Sequence, residues 1–198
     1  MMKSPAIIGV AGTHSTGKTS FLREVFEALS NQGLKVGMIG DLGSSAKETG
    51  FSILRDHSFS STLWIMTKGI SLELESQLKN DVVLVDRPIP DALAYLYAAL
   101  DSRSERSDPM ERKYLEDLVR LNVPRYRILF KTILDETKPI DSSKPRDLDP
   151  VFRKSVDIHM TDIFEQLVQN WHRLESGKWD EAVAKCKSQV KQRGHRNT

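Results

Sequence analysis

Residues 12–19 read GTHSTGKT, which matches the pattern G-x-x-x-x-G-K-T. The apolar run AIIGVA at residues 6–11 leads into this stretch and is typical of a buried parallel strand. A helical pattern follows, with Phe21, Val25 and Leu29 on one stripe. In a strand–loop–helix unit of this kind, backbone N–H groups and the helix N-terminus attract anionic groups. The stretch therefore predicts a loop that binds the phosphates of a nucleotide.

Two side chains at the end of this loop carry its predicted chemistry. The Lys18 ammonium would reach the β- and γ-phosphates, and the Thr19 hydroxyl would bind Mg²⁺. The glycines let the backbone curl so that successive N–H groups point inward. The residues predicted to bind the nucleotide are Gly12, Thr13, His14, Ser15, Thr16, Gly17, Lys18, Thr19 and Ser20.

The second informative stretch is VVLVDRP at residues 82–88. Its apolar run predicts a strand beside the phosphate-loop strand. This strand ends in the carboxylate of Asp86, which would bind Mg²⁺ directly or through water. Arg87 follows, at a position where a motor ATPase usually carries a second acid. An arginine here favours a role in holding a phosphate or substrate oxygens, and a structural salt bridge is the alternative.

A short strand predicted at residues 35–40 ends at Asp41. In open parallel sheets, ligands bind beyond the carboxyl ends of the strands, so Asp41 is well placed for chemistry. It could equally cap the segment that follows, where Ser44 and Ser45 compete for the same role. The sequence leaves both interpretations open.

The prolines in the stretch PIP at residues 88–90 predict the start of a helix. Asp91 lies in the first turn, where an acid favours the helix dipole even without a function. It also lies close to the predicted active edge of the sheet. Tyr95 follows one turn later on the same face and is interpreted as a core aromatic side chain.

Residues 135–149 read DETKPIDSSKPRDLD, a proline-rich and charged stretch of a length typical of functional lids. Its cations are Lys138, Lys144 and Arg146. Arg153 falls in the first turn of the next predicted helix, where a cation opposes the helix dipole and so indicates another role. We predict a lid that lowers arginines over the γ-phosphate and excludes water. An exposed loop with ordinary surface charge is the alternative.

Length, charge and cysteine content narrow the class of protein. The 198 residues suffice for one α/β domain with a sizeable core. A net charge of +2, with acids and bases interspersed, gives no electrostatic case for binding nucleic acid. The single cysteine, Cys186, allows no disulfide within the chain and suits a reducing cytoplasm. No apolar run is long enough to span a bilayer, so we expect a cytoplasmic protein without a membrane partner.

Three stretches give the chain a resemblance to the nucleoside and nucleotide kinases of the P-loop class. It is most similar to the AAA-type ATPase/kinase-like group that includes the kinase domain of ribosylnicotinamide kinase. The stretches are GTHSTGKT at 12–19, DRPIPDALAY at 86–95 and RDLDPVFR at 146–153. The resemblance implies a three-layer α/β/α fold with a five-stranded parallel sheet in the order 2-3-1-4-5. This fold would form one domain over residues 1–198, with a lid at 135–153.

The resemblance also implies a reaction and roles for named residues. ATP and Mg²⁺ would serve phosphate transfer to a hydroxyl or phosphate of a small acceptor, such as a nucleoside or nucleotide. Similar kinases often have an acid after the second strand that acts as a base. Asp41 matches that position, although many relatives have Glu there, and Asp86 is the alternative base. Arg87 would orient the acceptor, and Arg146 and Arg153 would serve as lid arginines.

Two other classes of function stay open at this point. The first is an ATP-binding regulatory switch or ATPase that acts through a protein partner. Arg87 in place of a second acid argues against hydrolysis, and the lack of an N/T-K-x-D signature argues against a GTPase. The second is a binding-only module, against which the intact Lys18, Thr19 and Asp86 weigh. The sequence identifies neither the acceptor nor whether the chain forms a homodimer.

Overall fold

Five parallel strands form the centre of the protein, whose structure is a computed structural model that describes residues 5–137 and 149–191. The strands are β1 (Ala6–Ala11), β2 (Val36–Ile39), β3 (Val82–Asp86), β4 (Tyr126–Thr132) and β5 (Trp171–Leu174). Their spatial order is β2-β3-β1-β4-β5, and every neighbouring pair is parallel. The predicted strand number, orientation and order are confirmed.

Helices cover both faces of the sheet. They are α1 (Lys18–Ser30), α2 (Gly43–Glu48), α3 (Phe59–Gln77), α4 (Ile89–Ser102), α5 (Pro109–Asn122), α6 (Pro150–Leu167) and α7 (Trp179–Lys191). One apolar cluster joins the sheet to α3, α4, α5 and α6, and the other joins it to α1 and α7. Ile7 and Ile8 belong to opposite clusters, because successive side chains of a strand point to opposite faces. This arrangement confirms the predicted three-layer α/β/α fold.

The central strands β1 and β3 explain the apolar runs AIIGVA at residues 6–11 and VVLV at residues 82–85. Every residue of β1 and β3 is buried, since both strands have neighbours on each side and helices above and below. The edge strands β2 and β5 are partly exposed. The uninterrupted runs were therefore the strongest local signal of the parallel sheet.

The carboxyl ends of β1, β2 and β3 lie side by side at one edge of the sheet. Val10 of β1 is the register partner of Asp86, and Ile39 of β2 is that of Val85. The loop after β1, Asp41 after β2 and Arg87 after β3 consequently emerge at the same place. This edge is where open parallel sheets bind ligands.

The connection between α2 and α3 also borders this edge. The chain leaves the helical conformation at Gly50, where φ is 98°. A short 3₁₀ turn, Leu54–Asp56, is the regular structure that follows. Ser58 then begins α3 with a reciprocal cap, because its hydroxyl accepts from the Ser61 N–H while the Ser61 hydroxyl accepts from the Ser58 N–H.

The structure also bears on membrane-spanning helices and on the single cysteine. Within residues 5–137 and 149–191, no helix combines the length and apolar character that crossing a membrane requires. Cys186 is fully buried in the cluster beneath α7, and burial raises the pKa of its thiol to about 12. Such a buried, protonated thiol is a poor nucleophile.

Candidate active site

The loop between β1 and α1 has the curled backbone that the motif predicts. Gly12 has a φ of 144°, and Ser15 and Gly17 also have positive φ values, 57° and 85°. A Cβ at Gly12 would lie 1.8 Å from the Thr132 hydroxyl oxygen, so only glycine fits there. Helix α1 begins directly after Gly17, which places its unpaired N–H groups at the loop.

Lys18 is folded back over this loop. Its Nζ donates to the Thr13 carbonyl oxygen at 2.5 Å and lies 3.5 Å from the Thr16 hydroxyl. Burial, with repulsion from Arg87, lowers the pKa of Lys18 from 10.5 to about 8. A bound triphosphate would bring negative charge to this buried ammonium and stabilise its charged form.

Thr19 and Asp86 form a pair of oxygen ligands that fits Mg²⁺. The Thr19 hydroxyl donates to Asp86 Oδ2 at 2.6 Å. Asp86 Oδ1 is buried and accepts no hydrogen bond from the described residues. No group of three His, Cys, Asp or Glu side chains in the described ranges could hold a metal by itself. Mg²⁺ typically needs only one or two carboxylates when a nucleotide supplies phosphate oxygens, so this donor set suits it.

Arg87 follows the end of β3 and contacts the residues that follow the ends of β1 and β2. Its Nε donates to Asp41 Oδ2 at 2.7 Å, and its Nη1 donates to Asp91 Oδ2 at 3.2 Å and to the Tyr95 hydroxyl at 2.9 Å. The same Nη1 lies 3.5 Å from the Gly12 carbonyl oxygen. Although burial opposes its charge, Asp41, Tyr95 and Asp91 raise the pKa of Arg87. The backbone φ of Arg87 is 65°, an uncommon conformation that such a network stabilises.

Asp91 connects Arg87 to the phosphate loop. Its Oδ1 accepts from the Gly12 N–H at 3.1 Å, while its Oδ2 accepts from Arg87. Burial raises the pKa of Asp91. Both of its oxygens accept hydrogen bonds, and the positive charge of Arg87 favours the ionised carboxylate against this effect of burial. Sequence reasoning left Asp91 out of the predicted site; its spacing of four residues from Arg87 was the available signal.

Tyr95 belongs to the core and to the site at once. The side chain is buried among apolar neighbours, as interpreted from the sequence. Its hydroxyl accepts from Arg87, lies 3.5 Å from His14 Nδ1, and lines the cavity described below. The core interpretation is therefore incomplete, because periodicity describes the ring and not the hydroxyl.

Asp41 contacts both the first turn of α2 and Arg87, and its role in the chemistry stays a prediction. Its Oδ1 accepts from the Gly43 N–H at 2.9 Å, at the start of α2, while its Oδ2 binds Arg87. Burial would raise the pKa of Asp41, but the Arg87 guanidinium and the Gly43 N–H outweigh it and lower the pKa. The Asp41 side chain is 49% exposed, whereas that of Asp91 is 3% exposed. Of the two carboxylates on Arg87, Asp41 is the one that a ligand can reach.

The two predicted lid arginines have different outcomes. Arg146 lies outside the described residues, as do Lys138 and Lys144. Arg153 is buried, and its Nη2 lies 3.5 Å from the Ser15 carbonyl oxygen of the phosphate loop. The structure thus places one cation of the predicted lid against the loop, and its role there stays a prediction.

A single cavity of about 750 Å³ joins these groups. The phosphate loop lines it with Lys18, Thr19 and Asp86, and so do Asp41, Arg87 and Asp91. Another part of the wall is mostly apolar or aromatic and consists of Ile53, Leu54, His57, Ile65, Ala92 and Tyr95. An anionic-ligand end continuous with an apolar pocket is the arrangement expected for a nucleotide and a second organic molecule.

Comparison with known proteins agrees with this geometry. A cytidylate kinase from Pyrobaculum aerophilum is 27% identical over 150 residues, covering 68% of this chain and 80% of that protein. The deoxyadenosine kinase of M. mycoides, solved with bound dATP, superposes with a TM-score of 0.66 at 13% identity, covering 92% of this chain and 99% of that one. Thymidylate kinase from Ehrlichia chaffeensis gives a TM-score of 0.60 at 16% identity, covering 94% and 98%.

These similarities confirm the predicted resemblance to nucleoside and nucleotide kinases. The structural neighbours share the fold, and the relative in sequence is a kinase, which supports a phosphotransferase. The family model described as an AAA domain matches residues 7–182, a range that includes the phosphate loop, Asp41, Asp86 and Arg87. The chain belongs to this AAA domain family.

Proposed function

We propose that this protein is an ATP-dependent kinase that transfers the γ-phosphate to a nucleoside or nucleotide. The observation that carries the proposal is the continuous cavity between the phosphate loop and the Asp41–Arg87 pair. A phosphoryl donor and an acceptor can approach each other there without leaving the protein. In phosphoryl transfer, the protein contributes mainly positioning and electrostatic stabilisation, which this arrangement can supply.

At the donor end, the loop and α1 would hold ATP. The N–H groups of the loop and the Lys18 ammonium would bind its phosphates. Thr19 and the free oxygen of Asp86 would hold Mg²⁺, which neutralises developing phosphate charge when bound. Arg153, against the loop, would add positive charge near the transferred group.

At the acceptor end, Asp41 would take the proton from an acceptor hydroxyl. Its lowered pKa keeps it ionised near neutral pH, and its exposed side chain can be reached from the cavity. Asp86, the alternative base, already accepts from Thr19 and faces the metal position, so the geometry favours Asp41. Arg87 would orient the acceptor, whether through a hydroxyl or through a phosphate.

The names of the relatives are compatible with either a nucleoside or a nucleotide as the acceptor. The cytidylate and thymidylate kinases are nucleotide kinases by name, and the deoxyadenosine kinase is a nucleoside kinase by name. A phosphate acceptor needs no base, because its attacking oxygen is already ionised near neutral pH. Replacement of Asp41 would then affect turnover of nucleosides far more than turnover of nucleotides.

The test is ADP release with Mg-ATP across nucleosides, nucleoside monophosphates and nicotinamide riboside. We expect strong dependence on one acceptor class and loss of turnover in Lys18→Ala, with Lys68→Ala, an exposed lysine of α3, as the matched control. A slow rate that ignores every acceptor but rises with a protein partner would instead support the regulatory switch or ATPase. Full activity of Lys18→Ala would contradict both functions.

A further inference from the structure

The mostly apolar part of the cavity wall contains a histidine in a fixed position. His57 is 5% exposed and lines the cavity. Its ring lies 5.8 Å from that of Tyr95, measured between centroids, with the planes tilted by 32°. Tyr95 in turn binds Arg87, so His57 is one side chain removed from the groups that would orient the acceptor.

The backbone around His57 is held at three carbonyl groups. His57 Nδ1 lies 3.2 Å from the Leu54 carbonyl oxygen. Arg103 donates to the carbonyl oxygens of Arg55 and His57, the latter at 3.0 Å. Leu54 has a φ of 61°, which is rare for a bulky residue and persists only where its surroundings enforce it. This strained turn is what presents the Leu54 carbonyl to the ring.

These contacts determine which ring nitrogen carries the proton. A carbonyl oxygen can only accept, so Nδ1 of His57 must donate to Leu54. Burial lowers the pKa of His57 from 6.5 to about 4, and the ring is therefore neutral near pH 7. Nε2 then has a lone pair and no proton, and no hydrogen-bond partner for it exists among residues 5–137 and 149–191.

The surroundings make this lone pair distinctive. Ile53, Ile65 and Ala92, which line the cavity with His57, are apolar and offer no hydrogen bond. The charged groups near enough to affect His57 are Arg87, Asp41 and Arg103. An acceptor atom that a bound ligand covers loses free energy when the ligand cannot donate to it. A ligand that places an N–H or O–H group at that point can donate to Nε2. A ligand with a carbonyl there brings its oxygen lone pair against the lone pair of Nε2, which is repulsive.

We propose that His57 is a specificity-determining residue that accepts a hydrogen bond from the amino group of the acceptor's base. Bases with an exocyclic amine, of the cytosine or adenine type, are then favoured over their keto counterparts of the uracil or hypoxanthine type. The inference rests on the proposed kinase function, since it concerns the acceptor of that reaction. The base lies against His57, while the reacting hydroxyl or phosphate lies at Asp41 and Arg87.

The experiment compares acceptors that differ in this one group. kcat/KM is measured with Mg-ATP for cytidine against uridine and adenosine against inosine, as nucleosides and as monophosphates. We expect the wild type to prefer an amino member by about 10- to 100-fold, the usual effect of leaving a buried acceptor unpaired. His57→Leu should lower kcat/KM for the amino member and leave the keto member within about threefold.

Two further variants separate the hydrogen bond from packing. His57→Gln can present either its oxygen or its NH₂ group, so it should turn over both members with little preference. Ile65→Val removes one methyl group from the same wall and should leave the preference unchanged. Thermal unfolding of each variant identifies any that fails to fold, and the wild-type preference is measurable without any variant.

The outcomes distinguish failure of the inference from failure of the kinase proposal. If an acceptor is phosphorylated with equal efficiency in its amino and keto forms, or if His57→Leu keeps the preference, the His57 assignment is wrong and the kinase stands. If no acceptor is phosphorylated, both proposals are wrong.

A spectroscopic measurement tests the premise independently of turnover. The ¹⁵N chemical shifts of the histidine ring report which nitrogen carries the proton. We expect His57 to be neutral at pH 6.5 with the proton on Nδ1, and addition of the preferred nucleoside without ATP to shift Nε2. A proton on Nε2, or a charged ring at that pH, would overturn the proposal.

Discussion

Replacement of Asp91 by Asn tests whether the buried carboxylate holds the site together. The substitution preserves shape and removes the charge. Asp91 accepts at 3.1 Å from the Gly12 N–H and at 3.2 Å from Arg87 Nη1. An asparagine has one accepting oxygen, so its NH₂ group must face one of these two donors.

The expected loss follows from that single mismatch. The variant loses one buried hydrogen bond, and two donors then face each other. The lost bond is charge-assisted if it is the one to Arg87. The free-energy cost of this mismatch is about 1.5–3 kcal/mol. If the transition state loses this much stabilisation, kcat/KM falls by about 10- to 150-fold. Stability should fall as well, because the substitution removes one of the two carboxylates that compensate the charge of Arg87. Arg87 keeps its bond to Asp41.

The assay is steady-state phosphoryl transfer with both substrates varied, together with thermal unfolding of the same preparation. Asp117→Asn is the matched control, because Asp117 lies on the exposed side of α5 in pairs with Lys113 and Arg120. Activity of the control should equal that of the wild type. Activity of Asp91→Asn within threefold of the wild type for both substrates would refute the assigned role.

Two further predictions concern stability. Gly12→Ala places a Cβ 1.8 Å from the Thr132 hydroxyl oxygen and should cost about 1–3 kcal/mol, or several degrees of Tm, whereas Gly40→Ala, with open space around its Cβ, should be nearly neutral. Equal Tm values for the two variants would contradict the close approach. In the His57→Gln variant, the free energy of unfolding should depend less on pH between pH 4 and 7 than it does in the wild type. The folded pKa of His57 is lowered from 6.5 to about 4, so its contribution of about 3 kcal/mol is present above pH 6.5 and lost as pH falls through 4. Urea unfolding of wild type and variant between pH 4 and 7 measures the difference, and parallel pH curves would disprove it.

The sequence predicted those parts of the site that follow from strands and one local motif. Residues 12–19 specify a loop by their own spacing, and a carboxylate after an apolar run marks a strand end. Because parallel strands end at a common edge, Asp41 and Asp86 could be placed near the loop without knowing any tertiary contact. The strand order needed the resemblance to related kinases, since hydrophobic periodicity does not determine which strands are neighbours.

The parts that sequence reasoning missed depend on contacts between distant segments. Asp91 acts on Gly12, 79 positions earlier in the chain, through one hydrogen bond that leaves no mark in local pattern. The role inferred for His57 depends on the strained backbone of Leu54 and on a carbonyl direction, neither of which composition or periodicity encodes. Arg153 was identified for a physical reason, because a cation in a first helical turn opposes the helix dipole.

The unequal burial of the two carboxylates on Arg87 explains how one arginine can be fixed and still serve a reaction. Asp91 is 3% exposed and accepts hydrogen bonds at both oxygens. Movement of its side chain away from Arg87 would separate two buried charges, which is costly. Asp41 is 49% exposed, so water can replace its contact at little cost. An acceptor entering the cavity can therefore compete for Asp41 while Asp91 and Tyr95 keep the guanidinium in place. The proposed kinase mechanism therefore assigns a positioning role to Asp91 and the proton transfer to Asp41, and the difference in burial between the two carboxylates is the reason for that assignment.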